Sequence, residues 1–191
     1  MIDTFMTFAN LAAHMQEGVD FRITAQKKNE SILIMAIHGG NIEPFTTEIA
    51  TAIAGNEYGL YLFEGVRAHN NKELHIGSMY FDEPRAQDMA LGAETIVSVH
   101  GHRNTEHEFV MIGGLNRGLA ERIARNIGDI DIEVRPFEEI FHPGDARNIC
   151  NRGLLGGGVE IEISRKLRDA LREDAGLYRL FTNAIRRAIA R

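Results

Sequence analysis

The sequence predicts a single α/β domain, over residues 1–191, with a mixed and mostly parallel central sheet flanked by helices. The 191 residues are 44% hydrophobic, which is enough to bury one full core. Residues 31–37 form an uncharged, isoleucine-rich run, as expected of a central strand covered on both faces. Residues 95–99 form a β-branched run of the same design. Two such strands favour a parallel sheet between layers of helices.

Extended and helical patterns alternate along the first half of the chain. Apolar residues at three- and four-residue spacing predict an amphipathic helix over 4–17, closed by Gly18. Strand patterns cover 20–25, 31–37 and 59–64, and a helical pattern over 45–54 separates the last two. We predict a short strand or extended piece over 73–76. A helix is predicted to begin at Pro84 and to run to about residue 91.

The second half continues the same alternation. Strands are predicted over 95–100 and 108–112, and a helix over 115–127. An outer strand over 131–134 and a loop over 137–145 follow. Residues 159–163 alternate strictly, so Glu160 and Glu162 share one face of a strand. Helices over 164–172 and 176–190 are predicted to complete the domain.

Composition excludes several classes of function. A net charge of −6 and a pI near 5.8 argue against nucleic acid as a partner, because phosphate binding normally needs a basic face. The sequence shows neither a secretory signal pattern nor an apolar stretch of about 18 residues, so no membrane segment is expected. The single cysteine, Cys150, excludes an intrachain disulfide and fits a reducing compartment. We expect a cytoplasmic protein, or one released by lysis if it is phage-encoded. The sequence does not determine its oligomeric state.

A histidine and a glutamate flank the turn that follows the central strand. His38 ends the strand, Gly39 and Gly40 allow a sharp turn, and Glu43 precedes Pro44, which suits the first position of a helix. Ligands gather at the carboxyl ends of strands in open α/β sheets. Because imidazole nitrogen and carboxylate oxygen are common zinc ligands, the two side chains can converge on a metal. Each alone also fits a hydrogen-bonded loop residue or a helix cap.

The strand over 95–99 repeats this arrangement, with His100 and Gly101 at its end. Two parallel strands that each end in His-Gly bring two imidazoles to the same edge of the sheet. Glu160 and Glu162 are either solvent-facing or functional, since a carboxylate that enters the core is costly unless it is paired or takes part in chemistry. The sequence thus predicts a candidate metal site at this edge.

Eight short motifs follow one another between about Phe8 and Arg168: Ala36-Ile-His38-Gly-Gly-Asn-Ile-Glu43-Pro44, Tyr61-Leu-Phe-Glu64-Gly65, Leu74-His75-Ile76, Phe81-Asp-Glu-Pro84, Val99-His100-Gly101, Ile112-Gly-Gly114, Asn148-Ile-Cys-Asn-Arg-Gly153 and Val159-Glu-Ile-Glu162-Ile-Ser-Arg165. As an ordered series they closely resemble the phage-type poly-γ-glutamate hydrolases, whose fold is similar to that of the zinc carboxypeptidases. The resemblance implies a zinc-dependent hydrolase, with one Zn²⁺, that cleaves γ-glutamyl amide bonds of poly-γ-glutamate.

By that resemblance, His38, Glu43 and His100 match the three zinc ligands, and Glu162 matches the glutamate that acts as general base and then as acid. Glu43 lies five residues after His38, as in these hydrolases, whereas carboxypeptidases usually have His-x-x-Glu. Phe45 stands where the family pattern leads us to expect a glycine before two small hydroxyl residues.

The implied substrate carries a free α-carboxylate on each residue. We therefore expect arginine contacts, since a guanidinium matches a carboxylate in shape and charge. Arg152 is the first candidate, followed by Asn148 and Arg165, and a structural salt bridge is an equal alternative for each. Two other functions stay open: a related amidohydrolase acting on another acidic or γ-glutamyl peptide, and a non-catalytic protein that binds polyglutamate or a cell-envelope peptide.

Overall fold

Seven strands form one mixed sheet in the computed structural model, which describes residues 3–138 and 141–190. The strands are β1 (Phe21–Gln26), β2 (Asn29–Gly40), β3 (Tyr58–Gly65), β4 (Thr95–His102), β5 (Phe109–Gly113), β6 (Glu133–Arg135) and β7 (Val159–Ser164). They are arranged in the order β1-β3-β2-β4-β7-β5-β6. Strands β3, β2, β4 and β7 are parallel, whereas β1 and β5 pair antiparallel with β3 and β7. The predicted mixed, mostly parallel sheet is confirmed. Two residues of the predicted loop over 137–145 lie outside the described residues.

Helices cover both faces of the sheet. They are α1 (Phe8–Ala12), α2 (Thr46–Ala54), α3 (Pro84–Gly92), α4 (Arg117–Gly128), α5 (Arg165–Glu173) and α6 (Ala175–Ile189). One apolar core joins the sheet to α2, α4, α5 and α6, and a second joins its other face to α1 and α3. Cys150 is buried in the second core. None of the helices in the described residues is both long and apolar enough to cross a membrane.

Two predicted elements differ from the structure. The first helix is Phe8–Ala12, much shorter than the predicted 4–17, because the chain turns after it and Asp20 accepts a hydrogen bond from the Gln16 backbone N–H at 2.8 Å. Over 73–76, predicted as a short strand or extended piece, a 3-10 turn, Asn71–Leu74, covers the first two residues, and His75 after it is extended. Both segments have the apolar spacing of the predicted element. Hydrogen bonds from nearby polar side chains and turns nevertheless replace the predicted helix and strand there.

Strand β2 carries a bulge that decides where His38 lies. Ala36 pairs with Leu62 and Gly39 with Glu64, so β2 has one residue more than β3 between these pairs. Ala36 belongs to the core on the α2 face, and strict alternation would turn His38 to that face as well. The extra residue instead turns His38 to the opposite face, where its ring stacks on His75. A bulge that re-aims a side chain is a common feature beside functional sites.

Phe45 occupies an unusual backbone conformation at the start of α2. Its φ is 78° and its ψ is 0°, in the left-handed region where glycine is favoured. The helix therefore begins one residue later than predicted, and Pro44 lies outside its first turn. The Phe45 ring lies 5.5 Å from the Tyr178 ring and 5.2 Å below the Arg172 guanidinium carbon. The backbone shape thus fits the glycine expected here, while the phenylalanine adds contacts that glycine lacks.

Candidate metal centre

The two strand-end histidines meet at the carboxyl edge of the sheet. His38, at the end of β2, and His100, near the end of β4, are both buried. Their Nδ1 atoms lie 3.2 Å apart, and the ring planes are inclined at 72°. Adjacent parallel strands hold the two backbones side by side, so this separation is set by the sheet and not by a flexible loop.

Glu43 reaches the same point from the turn before α2. Its Oε1 lies 3.3 Å from His38 Nδ1, and its Oε2 lies 3.9 Å from His100 Nδ1. The Gly101 backbone N–H donates to Oε2 at 2.8 Å, which holds the carboxylate against the end of β4. The three side chains proposed as ligands from the sequence therefore converge in space.

A hydrogen bond on the far side of the His38 ring assigns its tautomer, and the one on the far side of the His100 ring is compatible with the same tautomer. His38 Nε2 lies 2.9 Å from the Ile76 carbonyl, which only accepts, so Nε2 carries the proton and Nδ1 of the neutral ring has a lone pair. His100 Nε2 lies 2.8 Å from Ser98 Oγ; a proton donated there gives His100 Nδ1 a lone pair too. Ring nitrogens held in this way are typical of metal-ligating histidines.

The donor atoms are of the types that bind zinc and lie near the spacing that a zinc site requires. The two Nδ1 atoms lie 3.2 Å apart, Glu43 Oε1 lies 3.3 Å from His38 Nδ1, and the other carboxylate oxygen, Oε2, lies 3.9 Å from His100 Nδ1. Ligands at 2.0–2.1 Å from a tetrahedral zinc lie about 3.3–3.4 Å apart. Acceptor atoms this close need a proton or a metal ion between them, and two imidazoles with a carboxylate are a donor set that suits zinc.

Charge is distributed unequally among these groups in the metal-free protein. Burial opposes protonation of His38, but the Glu43 carboxylate outweighs it and raises the pKa of His38. Burial, assisted by the charge of His38, lowers the pKa of His100 to about 3. Burial also opposes ionisation of Glu43, yet the neighbouring histidines, His38 first, lower the pKa of that carboxyl to about 2. Glu43 is thus an anion when a metal arrives, as a ligand must be.

Two glutamates of β7 lie beside the histidines. Glu162 pairs with His100 and Glu160 with Ser98 in the parallel register of β4 and β7, and both glutamates are buried. The Asn148 side-chain amide donates to Glu160 Oε2 at 2.6 Å, whereas no hydrogen bond to a described residue fixes the Glu162 carboxyl. Burial, followed by the charges of Glu43 and Glu160, raises the pKa of Glu162 well above its usual range. A carboxyl group with a raised pKa beside a candidate metal site is suited to proton transfer.

His75 is a further histidine that sequence reasoning did not assign to the site. Its ring stacks on His38 with centroids 3.9 Å apart, and its Nδ1 lies 2.7 Å from Asp3 Oδ1. Its Nε2 lies 3.9 Å from Glu43 Oε1, and donor atoms of His38, Glu43 and His75 all fall within 4.8 Å of one another. His75 and Asp3 lie in irregular segments, so only the Leu74-His75-Ile76 motif hinted at a role.

The predicted substrate-binding residues each have partners within the protein. The Arg152 guanidinium donates to the carbonyls of Met79 at 2.8 Å, Phe81 at 3.0 Å and Arg147 at 2.5 Å. Arg165 donates to the Asp169 carboxylate at 2.8 Å, and this pair is more than a third exposed. These contacts support the structural alternative for Arg152, and contact of any of the three residues with substrate stays a prediction.

The fold and the site together define an α/β protein with a candidate metal-dependent hydrolytic centre at the carboxyl edge of its sheet. A family model described as poly-gamma-glutamate hydrolase matches residues 5–184. The UPF0714 protein YmaC of Bacillus subtilis strain 168 is 35% identical over 175 residues, which cover 90% of this chain and 73% of YmaC. The UPF0714 protein YndL of the same strain is 30% identical over 186 residues, which cover 96% of this chain and 71% of YndL.

Solved structures agree with the family match. A bacteriophage poly-gamma-glutamate hydrolase superposes with a TM-score of 0.93 at 30% identity, covering 99% of this chain and 97% of that chain. A zinc-free apo structure of YndL gives a TM-score of 0.91 at 28% identity, covering 99% and 98%. The CwlD amidase from Clostridioides difficile, with a TM-score of 0.53 at 12% identity over 84% and 96%, shares the fold alone. This chain belongs to the poly-γ-glutamate hydrolase family.

Proposed function

We propose that this protein is a zinc-dependent hydrolase that cleaves γ-glutamyl amide bonds of poly-γ-glutamate. The observation that carries the proposal is the convergence of His38 Nδ1, His100 Nδ1 and the two Glu43 carboxylate oxygens, with Oε1 3.3 Å from His38, Oε2 3.9 Å from His100 and the two nitrogens 3.2 Å apart. Family membership supports hydrolysis of this polymer. The YndL structure described as zinc-free supports zinc as the metal to test.

His38, Glu43 and His100 would hold the ion, and the other groups have distinct tasks. A zinc ion at this position supplies Lewis acidity toward a water molecule and an amide carbonyl. Glu162, across from His100 on β7, takes a proton from the attacking water and returns it to the nitrogen of the departing amine. Its raised pKa, caused first by burial, makes the protonated form accessible for the second transfer.

The tautomers of both histidines are maintained by their outer hydrogen bonds. The Ile76 carbonyl accepts from His38, and in the proposed site the Ser98 hydroxyl accepts from His100, so that each Nδ1 presents its lone pair to the ion. Gly101 holds Glu43 in the same way through its backbone N–H. Preorganised ligands avoid the cost of ordering these side chains during catalysis.

Substrate recognition is the least constrained part of the proposal. The protein has a net charge of −6, so an acidic polymer needs local positive charge near the site. The candidates with side-chain donors are Arg165, which is partly exposed, and Asn148, through its amide. Arg152 would contribute indirectly, by tying its loop to the carbonyls of Met79 and Phe81. Another acidic or γ-glutamyl peptide is the alternative substrate.

The test combines metal analysis with a Glu162→Gln variant. We expect about one zinc per chain in both proteins. Hydrolysis of poly-γ-glutamate by the variant should be slower by about 10²–10⁴-fold, the usual contribution of a general acid–base group. Glu83→Gln is a matched control, because Glu83 is a buried glutamate whose carboxylate caps α3 and accepts a hydrogen bond from the Tyr61 hydroxyl. Normal hydrolysis by Glu162→Gln would refute the assignment of Glu162.

Product analysis separates the substrate classes. The unmodified protein is incubated with poly-γ-glutamate and, in parallel, with peptidoglycan stem peptides, and the products of each reaction are identified. Release of γ-glutamyl fragments from the polymer alone supports the proposal. Cleavage of the stem peptides alone would move the protein to a different substrate, and stoichiometric polymer binding without cleavage would make it a binding protein.

A further inference from the structure

Arg168 is a buried cation that the proposed reaction does not use. It lies on α5 and is only 3% exposed. No carboxylate of the described residues forms an ion pair with it, so its charge is compensated by dipoles and by more distant anions. A buried guanidinium without a direct counter-ion is costly and needs its N–H groups satisfied.

Three backbone carbonyls satisfy the guanidinium. Nε donates to Ile163 O at 3.1 Å, Nη1 to Pro44 O at 2.5 Å and Nη2 to His102 O at 3.1 Å. These carbonyls belong to the strand β7, the turn before α2 and the end of β4. The planar fork of a single arginine therefore joins three segments that are far apart along the chain.

Each of these segments carries a residue of the candidate site. Pro44 follows Glu43, Ile163 follows Glu162, and His102 lies two residues after His100. Among the described residues Arg168 forms no hydrogen bond or ion pair with the side chains of Glu43, His100 and Glu162, but it holds the backbone beside all of them. Its positive charge also opposes the rise in the pKa of Glu162 that burial causes.

Gly101 leaves the space in which the guanidinium lies. A Cβ at this position would lie 2.5 Å from Arg168 Cζ and 2.7 Å from Nη2. Gly101 is not among the glycines with positive φ, so its backbone conformation is open to other residues. The glycine of the His100-Gly101 motif is thus explained by close approach of Arg168. The same glycine donates its N–H to Glu43 Oε2 at 2.8 Å, which links the clamp to a candidate ligand.

We propose that Arg168 is a positioning residue, which clamps the segments of Glu43, His100 and Glu162 together and so sets the affinity of the site for zinc. The inference rests on the proposed zinc function for its main readout. It predicts that the arginine fork, and not only a positive charge, is needed, because a lysine ammonium cannot reach three divergent carbonyls in one plane.

The primary variant is Arg168→Lys in the full chain. We expect zinc affinity, measured by competition with a chromophoric chelator, to fall about 10–100-fold, as for loss of outer-shell support at other metal sites. At saturating zinc, kcat should fall while KM for poly-γ-glutamate changes less than about twofold, because substrate contacts are retained. In the metal-free protein, the Gly101 amide should exchange with deuterium faster than in the parent.

Arg186→Lys is the matched control for loss of an arginine fork. Arg186 donates to Ile53 O at 2.5 Å and to Glu57 at 2.7 Å, at the far end of α2 from the site. The same substitution there should lower thermal stability but leave zinc affinity unchanged. Gly101→Ala is the second variant: it retains Arg168 but removes its space, and should weaken zinc binding even if Arg168→Lys does not fold.

Outcomes for the clamp and for the zinc function can be told apart. Parental zinc affinity in folded Arg168→Lys, or in Gly101→Ala, overturns the clamp while the zinc function stands. An equal loss of zinc affinity in Arg186→Lys also overturns it, because the effect is then one of general stability. If the parent binds no zinc, the proposed zinc function is wrong. Deuterium exchange of the Gly101 amide in the metal-free Arg168→Lys variant then decides the clamp: exchange faster than in the parent supports it, and unchanged exchange overturns it.

Discussion

The chain contains two strand–His–Gly segments, in β2 and in β4, that look alike in sequence and differ in structure. In β4, regular alternation places Val97 and Val99 in the core beside α2, and Ser98 and His100 on the opposite face. In β2, a bulge between Ala36 and Gly39 is needed to bring His38 to that same face. The two imidazoles meet because one strand is regular and the other is not.

The difference extends to how each ring is held. His38 is oriented by a backbone carbonyl, that of Ile76, which comes from an irregular segment. His100 is oriented by the Ser98 hydroxyl of its own strand, two residues earlier on the same face. A side-chain partner can be removed by mutation, whereas a backbone partner cannot. The sequence therefore predicts that each histidine lies at the end of a strand. The face of the sheet on which the ring lies, and its tautomer, depend on partners elsewhere in the fold.

The largest expected effect is loss of the metal from either strand. We expect His38→Ala and His100→Ala to weaken zinc binding equally and by more than about 100-fold, beyond the 10–100-fold typical of outer-shell changes. The measurement is zinc content after dialysis, together with competition against a chelator. Equal losses would show that the bulged and the regular strand supply equivalent ligands.

Two further variants sharpen that result. His69→Ala is the control, since His69 is exposed in the loop after β3. His75→Ala tests the alternative donor set of His38, Glu43 and His75. A greater loss of zinc in His75→Ala than in His100→Ala would remove His100 from the ligand set and make the β2 histidine the sole strand-end ligand.

The sequence predicts the sheet edge better than it predicts what covers that edge. Apolar runs mark β2 and β4, because buried parallel strands need apolar residues on both faces, whereas β7 is marked by the alternation of Val and Ile with two glutamates. The bulge in β2 is invisible in the sequence, since it arises from pairing with β3 and from the close approach of Gly39 and Gly40 to that strand.

The loops over the site are the least predictable part. Asp3 and Asp82 are separated from their partners by more than 70 residues: Asp3 from His75, and Asp82 from Phe8. Sequence periodicity does not predict contacts between residues so far apart along the chain, because they form only when the whole domain folds. The first helix was overpredicted for the same reason, because apolar spacing over 4–17 describes burial of Phe5 and Leu11 without specifying a continuous helix.

A smaller effect is expected from Ser98→Ala, which removes the partner of His100 and leaves that of His38 intact. Loss of this hydrogen bond should free the His100 ring and weaken zinc binding about 10–100-fold, as at other sites that lose an outer-shell partner. Thr182→Ala is the control, because Thr182 is a buried hydroxyl on α6 that donates to Tyr178 O at 2.9 Å. Unchanged zinc affinity in Ser98→Ala, with a similar loss of stability in both variants, would mean that β4 orients His100 without its hydroxyl.

The smallest effect is a difference in titration between the two histidines of the metal-free protein. Glu43 raises the pKa of His38 against the effect of burial, whereas burial and the charge of His38 lower the pKa of His100 to about 3. On acidification, nitrogen and carbon chemical shifts of the imidazoles should show His38 protonated first, with His100 neutral until about pH 3. Simultaneous protonation of both rings near their ordinary pKa would contradict the assigned environments.

The two shifts have opposite consequences for stability. Below a pH of about 6.5, the ordinary histidine pKa, the unfolded chain binds a proton at His100 that the folded protein rejects, so this residue costs stability progressively as the pH falls toward 3. His38 stabilises the folded state fully below about pH 6.5, and that stabilisation is lost as the pH rises through its raised pKa. Denaturant unfolding of chelator-treated His38→Gln and His100→Gln between pH 5 and 8 should therefore show pH slopes that depart from the parent in opposite directions. Because zinc binding requires both rings to be neutral, protons compete with the ion for His38 up to a higher pH than they do for His100.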